Sequence, residues 1–183
     1  MARQTKKLAF RRRREGKTNY AKRLALVKSG MYRLVVRSTN RRIIGQIIEY
    51  RPEGDRVVAS AESNELEKLG WPSRSNRPTA YLTGMLLAKK FKQNGECILD
   101  IGLRSNTKGS VPFVFAKGFA DAGKRLRGKF EIGQSVYDGS AIAAYAASGK
   151  HGANQFGAYG KSGVKAEQLS ELFKSIYEKI KVM

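Results

Sequence analysis

The sequence predicts an α/β sandwich on a small mixed sheet, and three observations predict it. Three consecutive runs rich in Val and Ile are separated by turn-forming residues, a short apolar run follows later, and segments of helical period lie between and after them. Strands followed by alternating helices pack in layers rather than closing a barrel or a bundle. The length of 183 residues suits one core with extensions.

The elements follow in chain order. Thr18 to Lys28 places Tyr20, Leu24 and Val27 at helical spacing, so a short basic helix is expected after an arm whose Arg11 to Arg14 block is too repulsive to fold alone. The runs Tyr32 to Ser38, Arg42 to Tyr50 and Arg56 to Ser60 read as strands of a meander, joined by turns at Ser38 to Arg41 and Pro52 to Asp55. Glu62 to Asn76 reads as a loop with one helical turn, since Pro72 disfavours helix at Trp71. Pro78 opens a helix to Asn94 with Tyr81, Met85, Ala88 and Phe91 on one apolar stripe and Gly95 as its cap.

Cys97 to Leu103 is an apolar strand expected to be buried on both faces, and Val111 to Gly123 a second helix. Gln134 to Gly163 changes character: six glycines are interleaved with Tyr137, Tyr145, Phe156 and Tyr159, which predicts an extended or partly helical excursion. From Ala166 to Val182 the helical period returns through Leu169, Leu172, Phe173, Ile176, Tyr177 and Ile180, and the expected use of that stripe is packing on the chain's own domain. The organisation is then a basic arm and helix over 1–30, an α/β domain over 31–133, and a Gly/aromatic extension with a terminal helix over 134–183.

Charge narrows the function. Thirty-six Lys and Arg against fifteen Asp and Glu give +21, and 41% hydrophobic residues still permit a packed core. Residues Met1 to Arg42 hold fifteen basic and one acidic residue, a net of +14, leaving +7 for the remainder. That concentration points to a polyanion, nucleic acid first. The basic run continues into the first strand, so it reads as part of the domain's binding surface rather than as an organelle transit peptide. No window supplies the roughly 18 uncharged apolar residues of a membrane span. Cys97 is the lone cysteine, which excludes an internal disulfide and a cysteine-built zinc site and fits a reducing compartment.

Reactive groups are sparse. His151, the single histidine, sits in a glycine loop, where solvent or phosphate contact suits it better than a triad; Cys97 opens an apolar strand, where a small buried thiol is expected. Gly160-Lys161-Ser162 resembles the end of a P-loop, but Gln155 stands where that motif needs Gly. Asp100, with Glu49 on a neighbouring strand, could begin a two-metal nuclease site or simply form an ion pair near a strand end. A nuclease and a general DNA-compacting protein are the alternatives to RNA binding. No cofactor, metal or small-molecule substrate is called for.

The RNA reading draws on three segments. The arm (Arg3, Lys6, Lys7, Arg11, Arg12, Arg13, Arg14, Lys17, Lys22, Arg23) can neutralise phosphates, each contact contributing roughly −0.7 to −0.9 to the slope of log affinity against log salt. The turn Arg37-Ser38-Thr39-Asn40-Arg41-Arg42 joins charge to short hydrogen-bonding side chains, which suits phosphate and 2′-hydroxyl recognition. Tyr20 beside Asn19, and the aromatics of the excursion, Tyr159 among them with Lys150, His151 and Lys161 nearby, could stack on unpaired bases.

Arg-Leu-Val-Val-Arg-Ser-Thr-Asn-Arg (33 to 41), Val-Val-Ala-Ser-Ala (57 to 61), Gly-Trp-Pro (70 to 72), Pro-Thr-Ala-Tyr-Leu-Thr-Gly (78 to 84) and Ala-Lys-Gly-Phe-Ala-Asp-Ala-Gly (116 to 123) together resemble the large-subunit ribosomal protein family eighteen, whose eukaryotic counterpart is named ribosomal protein five. Length and C-terminal segment look like the archaeal form. The resemblance implies an α/β sandwich, no catalysis and a place in the large ribosomal subunit in the cytoplasm. It further implies binding of 5S rRNA, joined to large-subunit rRNA in the central protuberance beside the family-five 5S-binding protein. By position, the family's RNA-contacting segments fall on Arg11 to Arg14, Lys17, Asn19, Tyr20, Lys22 and Arg23, on Arg37 to Arg42, and on Arg104 to Lys108.

Overall fold

The fold is seen in a computed structural model, which describes residues 8–149, 152, 155–160 and 162–183. A five-stranded sheet organises it: β1 (Tyr32–Ser38), β2 (Ile43–Glu49), β3 (Arg56–Glu62), β4 (Cys97–Asp100) and β5 (Leu126–Arg127), in the order β3-β2-β1-β4-β5. The first three make the antiparallel meander that the turns predict; β4 runs parallel to β1, and β5 parallel to β4. Parallel neighbours need crossovers. Before them, α1 (Arg11–Arg14) and α2 (Tyr20–Lys28) form the arm, and then α3 (Arg77–Lys90) links β3 to β4 and α4 (Val111–Asp121) links β4 to β5.

Alternation along β1 gives the sheet two unlike faces. Leu34 and Val36 join Ile43, Ile47 and Ala61 in the core beneath α3 and α4, each side chain contributing about 1.5–3 kcal/mol by leaving water. Arg33, Val35 and Arg37 occupy the opposite face. Burial alternates likewise along β2, where Ile43, Gly45 and Ile47 are buried and the residues between them half-buried. In β3 the register shifts between Ile47 and Ile48, so Val58 is the extra residue of a bulge in this edge strand.

Eleven of the fourteen residues of α3 are buried, so this helix is enclosed nearly all round rather than along one stripe. Its start is as expected: the Asn76 carboxamide accepts the Thr79 N–H at 3.0 Å and Pro78 sits in the first turn. Its end is four residues earlier. Phe91 leaves helical geometry at ψ 96° and packs its ring near Tyr32 (5.5 Å) and Phe119 (6.3 Å), so core burial of an aromatic stops the helix before Asn94. Gly95 is no cap; a Cβ there would lie 2.2 Å from Cε2 of Tyr32, so the glycine admits the ring.

Helices α3 and α4 cross at backbone distance. A Cβ on Gly84 would fall 2.2 Å from the Phe115 carbonyl oxygen, and one on Gly118 would fall 2.2 Å from that of Tyr81. Each helix presents a glycine to the other's carbonyl, which is what lets both lie flat on a small sheet.

The remaining elements differ modestly from expectation. Glu62 to Asn76 contains a 3-10 helix over Ser63–Leu69 with a Glu62/Glu65 capping box, and Trp71 beyond it is buried with its indole N–H donating to Thr79 Oγ1 at 2.8 Å. The excursion holds a 3-10 turn at Gln134–Val136, then α5 (Ser140–Ala147) and α6 (Gly157–Gly160). After a 3-10 turn at Ala166–Gln168, α7 (Leu169–Val182) buries Leu169, Phe173, Ile176 and Ile180 and packs on α3, the own-domain use of its stripe. No helix among the described residues is long and apolar enough to cross a membrane.

Gly84→Ala and Gly118→Ala are each expected to lower unfolding stability by about 1–3 kcal/mol, because no room exists for the methyl group without parting the helices. Gly133→Ala, where nothing lies within 4 Å, is the control and is expected to be near neutral. Urea midpoints at unchanged slope measure both.

Candidate RNA interface

From Arg11 onward the arm is held by a few polar contacts of its own. Four consecutive arginines form one helical turn, contrary to the expectation that their repulsion forbids it, because Glu15 closes the turn: its carboxylate accepts from Arg11 Nε at 2.7 Å and pairs with Lys17 Nζ at 2.9 Å. Those two contacts hold the Glu15 carboxyl below its usual pKa. Arg12 Nε donates to Thr18 Oγ1 at 2.8 Å, and Asn19 caps α2 by accepting the Lys22 N–H at 3.1 Å. Asn19 therefore sets where the helix begins. Tyr20 packs its ring 5.3 Å from Phe10.

An ionic chain fastens this arm to the second face of the sheet. Arg23 donates to Asp55 Oδ2 at 2.9 Å, and Arg33 donates to the same oxygen at 2.5 Å. Arg33 also approaches Asp100 Oδ2 at 3.5 Å, while Arg37 donates to Asp100 Oδ1 at 3.1 Å and to the Asp100 carbonyl at 2.7 Å. The Gly102 N–H adds 2.8 Å to Asp100 Oδ1. Cation and carboxylate alternate, from half-exposed Arg23 through Arg33, only 4% exposed, to half-exposed Arg37.

The hairpin turn is built by Thr39. Its Oγ1 accepts from the N–H groups of Arg41 (3.3 Å) and Arg42 (3.1 Å), so this hydroxyl shapes the turn. Ser38 offers its carbonyl to Arg104 at 2.9 Å, which draws the loop after β4 against the turn, and Arg42 pairs with Glu62 at 2.9 Å. Asn40 and Arg41 stand exposed at the tip, as does Lys108 in the later loop.

These segments converge. A cleft of about 730 Å³ is lined by Arg12, Lys17, Asn19, Lys22 and Arg23 from the arm, Arg33, Arg37 and Ser38 from β1, and Arg104 and Asn106 from the loop, over Leu26, Leu99 and Leu103. Among the described residues, seven cations and one carboxylate, Asp100, line it. Arg13, Thr18, Asn19 and Tyr20 line an adjoining recess of about 320 Å³. Such a concave basic surface concentrates a polyanion and suits a nucleic-acid backbone.

Residues 4–96, which carry the arm, the hairpin and α3, match the family described as ribosomal large subunit proteins 60S L5 and 50S L18. The chain belongs to this family. Large ribosomal subunit protein uL18 of Korarchaeum cryptofilum (strain OPF8) is 46% identical over 185 residues, covering 97% of this chain and 95% of that protein. In this member of the family, the cleft brings together the arm, the first hairpin and the Arg104 loop, which are far apart in sequence.

Other expected site residues fall elsewhere. Tyr159 is 8% exposed and its hydroxyl accepts from Asn76 Nδ2 at 2.7 Å, so its ring serves the protein interior and is not presented for stacking on a base. Tyr137 stacks on Tyr81 at 4.2 Å and is 9% exposed. Burial raises both phenols above their usual pKa. Tyr145 alone of the excursion's tyrosines is substantially exposed, at 42%. Among the described residues, none of those lining the cleft comes from this excursion. Arg3, Lys6, Lys7, Lys150, His151 and Lys161 lie outside the described residues.

The nuclease reading loses its geometry. Glu49 and Asp100 are not on neighbouring strands, because β1 lies between β2 and β4; Glu49 pairs with Arg51 at 3.1 Å, and Asp100 is committed to two guanidiniums. Among the described residues no three His, Cys, Asp or Glu side chains cluster as metal ligands would. Arg33, a member of the cleft, is not among the site residues the sequence suggests, and Asp55, which pairs with it, reads from the sequence only as part of a turn. The signal was available for Arg33: a charge at period two from Val35 and Arg37 marks a polar sheet face.

Cys97 is fully buried at the start of β4, and burial pushes its thiol up to about 12. In the native protein at pH 8 a thiol-specific disulfide reagent is expected to leave Cys97 unmodified, and one equivalent should react after guanidinium unfolding; rapid native-state labelling would show a thiol exposed by local opening.

Proposed function

We propose that the protein is a non-catalytic constituent of the large ribosomal subunit that binds 5S rRNA through the arm–hairpin cleft and anchors it to the large-subunit rRNA in the central protuberance, beside the family-five 5S-binding protein. Membership of the large-subunit family supports the ribosomal setting. The observation that carries the binding mode is the convergence of seven cations from three separate segments on one cleft. Phosphate contacts supply most of the affinity, since each releases a counterion. Shape supplies selectivity: cations fixed on an ordered turn, helix and loop fit one backbone path better than others, as in recognition of structured RNA by its form. DNA compaction would need no such fixed arrangement.

Filter binding to 5S rRNA, tRNA and duplex DNA across a salt series tests this reading. Tighter binding of 5S rRNA at every salt concentration is expected; equal affinities for the two RNAs contradict it, and preference for the duplex favours DNA compaction. Arg12→Ala, Lys17→Ala and Lys22→Ala combined should lower the magnitude of the salt slope by roughly 2–3, about one per lost contact. Removing residues 1–17 should flatten it further and leave the thermal transition in place, because α2, which stays, carries the Arg23 link to the domain.

A further inference from the structure

We infer that Asp55 is a positioning residue for RNA binding: with Asp100 it holds Arg23 and Arg37 as a fixed pair of phosphate-facing guanidiniums on the two sides of buried Arg33. The inference rests on the RNA reading of the cleft and assigns to acidic residues a role opposite to the one their charge suggests. A carboxylate beside a phosphate site repels RNA. Yet Asp55 has only 23% of its side chain exposed and is not among the residues lining the cleft, and its Oδ2 takes one donor from Arg23 and one from Arg33. Asp100 repeats the pattern between Arg33 and Arg37.

The exposures separate the roles within the chain. The Arg33 side chain is 5% exposed and can reach little beyond its two aspartates, whereas those of Arg23 and Arg37 are 45% and 48% exposed and both line the cleft. A guanidinium has five N–H donors in a rigid fork, so Arg23, which gives one Nη to Asp55, retains others for a phosphate oxygen. An arginine free in solvent loses much rotamer freedom on gripping a phosphate; one already held by a carboxylate has lost it on folding, and its affinity rises accordingly. Arg33, by serving both carboxylates, ties the two clamps to one frame, so their separation is set by the sheet rather than by side-chain flexibility.

The experiment compares full-length wild type, Asp55→Ala, Asp55→Glu and Glu53→Ala on 5S rRNA and on tRNA over a salt series, with thermal transitions recorded for each. Glu53 lies in the same turn, exposed, and its removal changes net charge by the same amount without touching Arg23. The expected result is RNA binding about 3- to 10-fold weaker for Asp55→Ala at a nearly unchanged salt slope, partial recovery in Asp55→Glu, and Glu53→Ala equal to or tighter than wild type. Asp55→Ala binding as tightly as wild type, or tightening together with Glu53→Ala, overturns the inference, since net charge alone would then rule. Because each variant is compared with wild type on the same RNA, this outcome is independent of whether wild type prefers 5S rRNA over tRNA, the result on which the 5S reading depends.

Discussion

A guanidinium buried on a sheet face constrains the structure more than any other group. Arg33 lies near the start of β1 at 4% exposure, and an unpaired cation there would carry a desolvation penalty of several kcal/mol. Two carboxylates from distant segments offset that penalty at the Nη atoms, Asp55 from the β2–β3 turn and Asp100 from the end of β4, while Nε stays buried without a hydrogen-bond partner. Their need for further donors brings Arg23 and Arg37 in. The second face of the sheet is thereby ionic where the first is apolar, and a basic helix can dock on a domain that shares its sign of charge.

The two faces answer different demands. Beneath the sheet, stability comes from aliphatic and aromatic burial and from the crossing of α3 and α4 at Gly84 and Gly118, a contact that tolerates no added atom. α7 closes that layer through Phe173, which packs 6.1 Å from Trp71 and 5.7 Å from Tyr81. Above the sheet, charge-assisted hydrogen bonds link Arg23, Arg33 and Arg37 through Asp55 and Asp100, and such bonds screen with salt and can exchange a carboxylate for a phosphate. A binding surface on that side can therefore accept a polyanion without disturbing the core.

Much of this was legible in the sequence. Val- and Ile-rich runs with turn residues between them gave the meander within two residues of its ends, and the stripe from Leu169 to Ile180 gave α7 and its packing. β5 was missed because two residues in Lys124-Arg125-Leu126-Arg127 offer neither alternation nor apolar length. The end of α3 was misplaced because a glycine after a helix usually caps it, and only the tertiary fit of Gly95 under Tyr32 reveals the other use. At the site, charge density identified the arm and the hairpin, but not that Thr39 spends its hydroxyl on the turn, nor that aspartates hold the arginines. The excursion's composition suggested stacking platforms, yet the same mixture of glycine and tyrosine also suits close packing of rings, as Tyr137 on Tyr81 demonstrates. Composition cannot separate those uses, because both exploit the same flat apolar surface.

The central claim is that RNA lies against the arm, the hairpin and the Arg104 loop, on the sheet face away from α3 and α7. Acetylation of lysines in the free protein and in its 5S rRNA complex, read by mass spectrometry, tests it most directly. Lys17 and Lys22, which line the cleft, should be protected by RNA, while Lys89, whose Nζ donates to the Lys181 carbonyl at 2.7 Å, and Lys174 should react equally in both states. Protection of Lys89 and Lys174 with Lys17 and Lys22 left reactive would place the RNA on the helical layer and contradict the account.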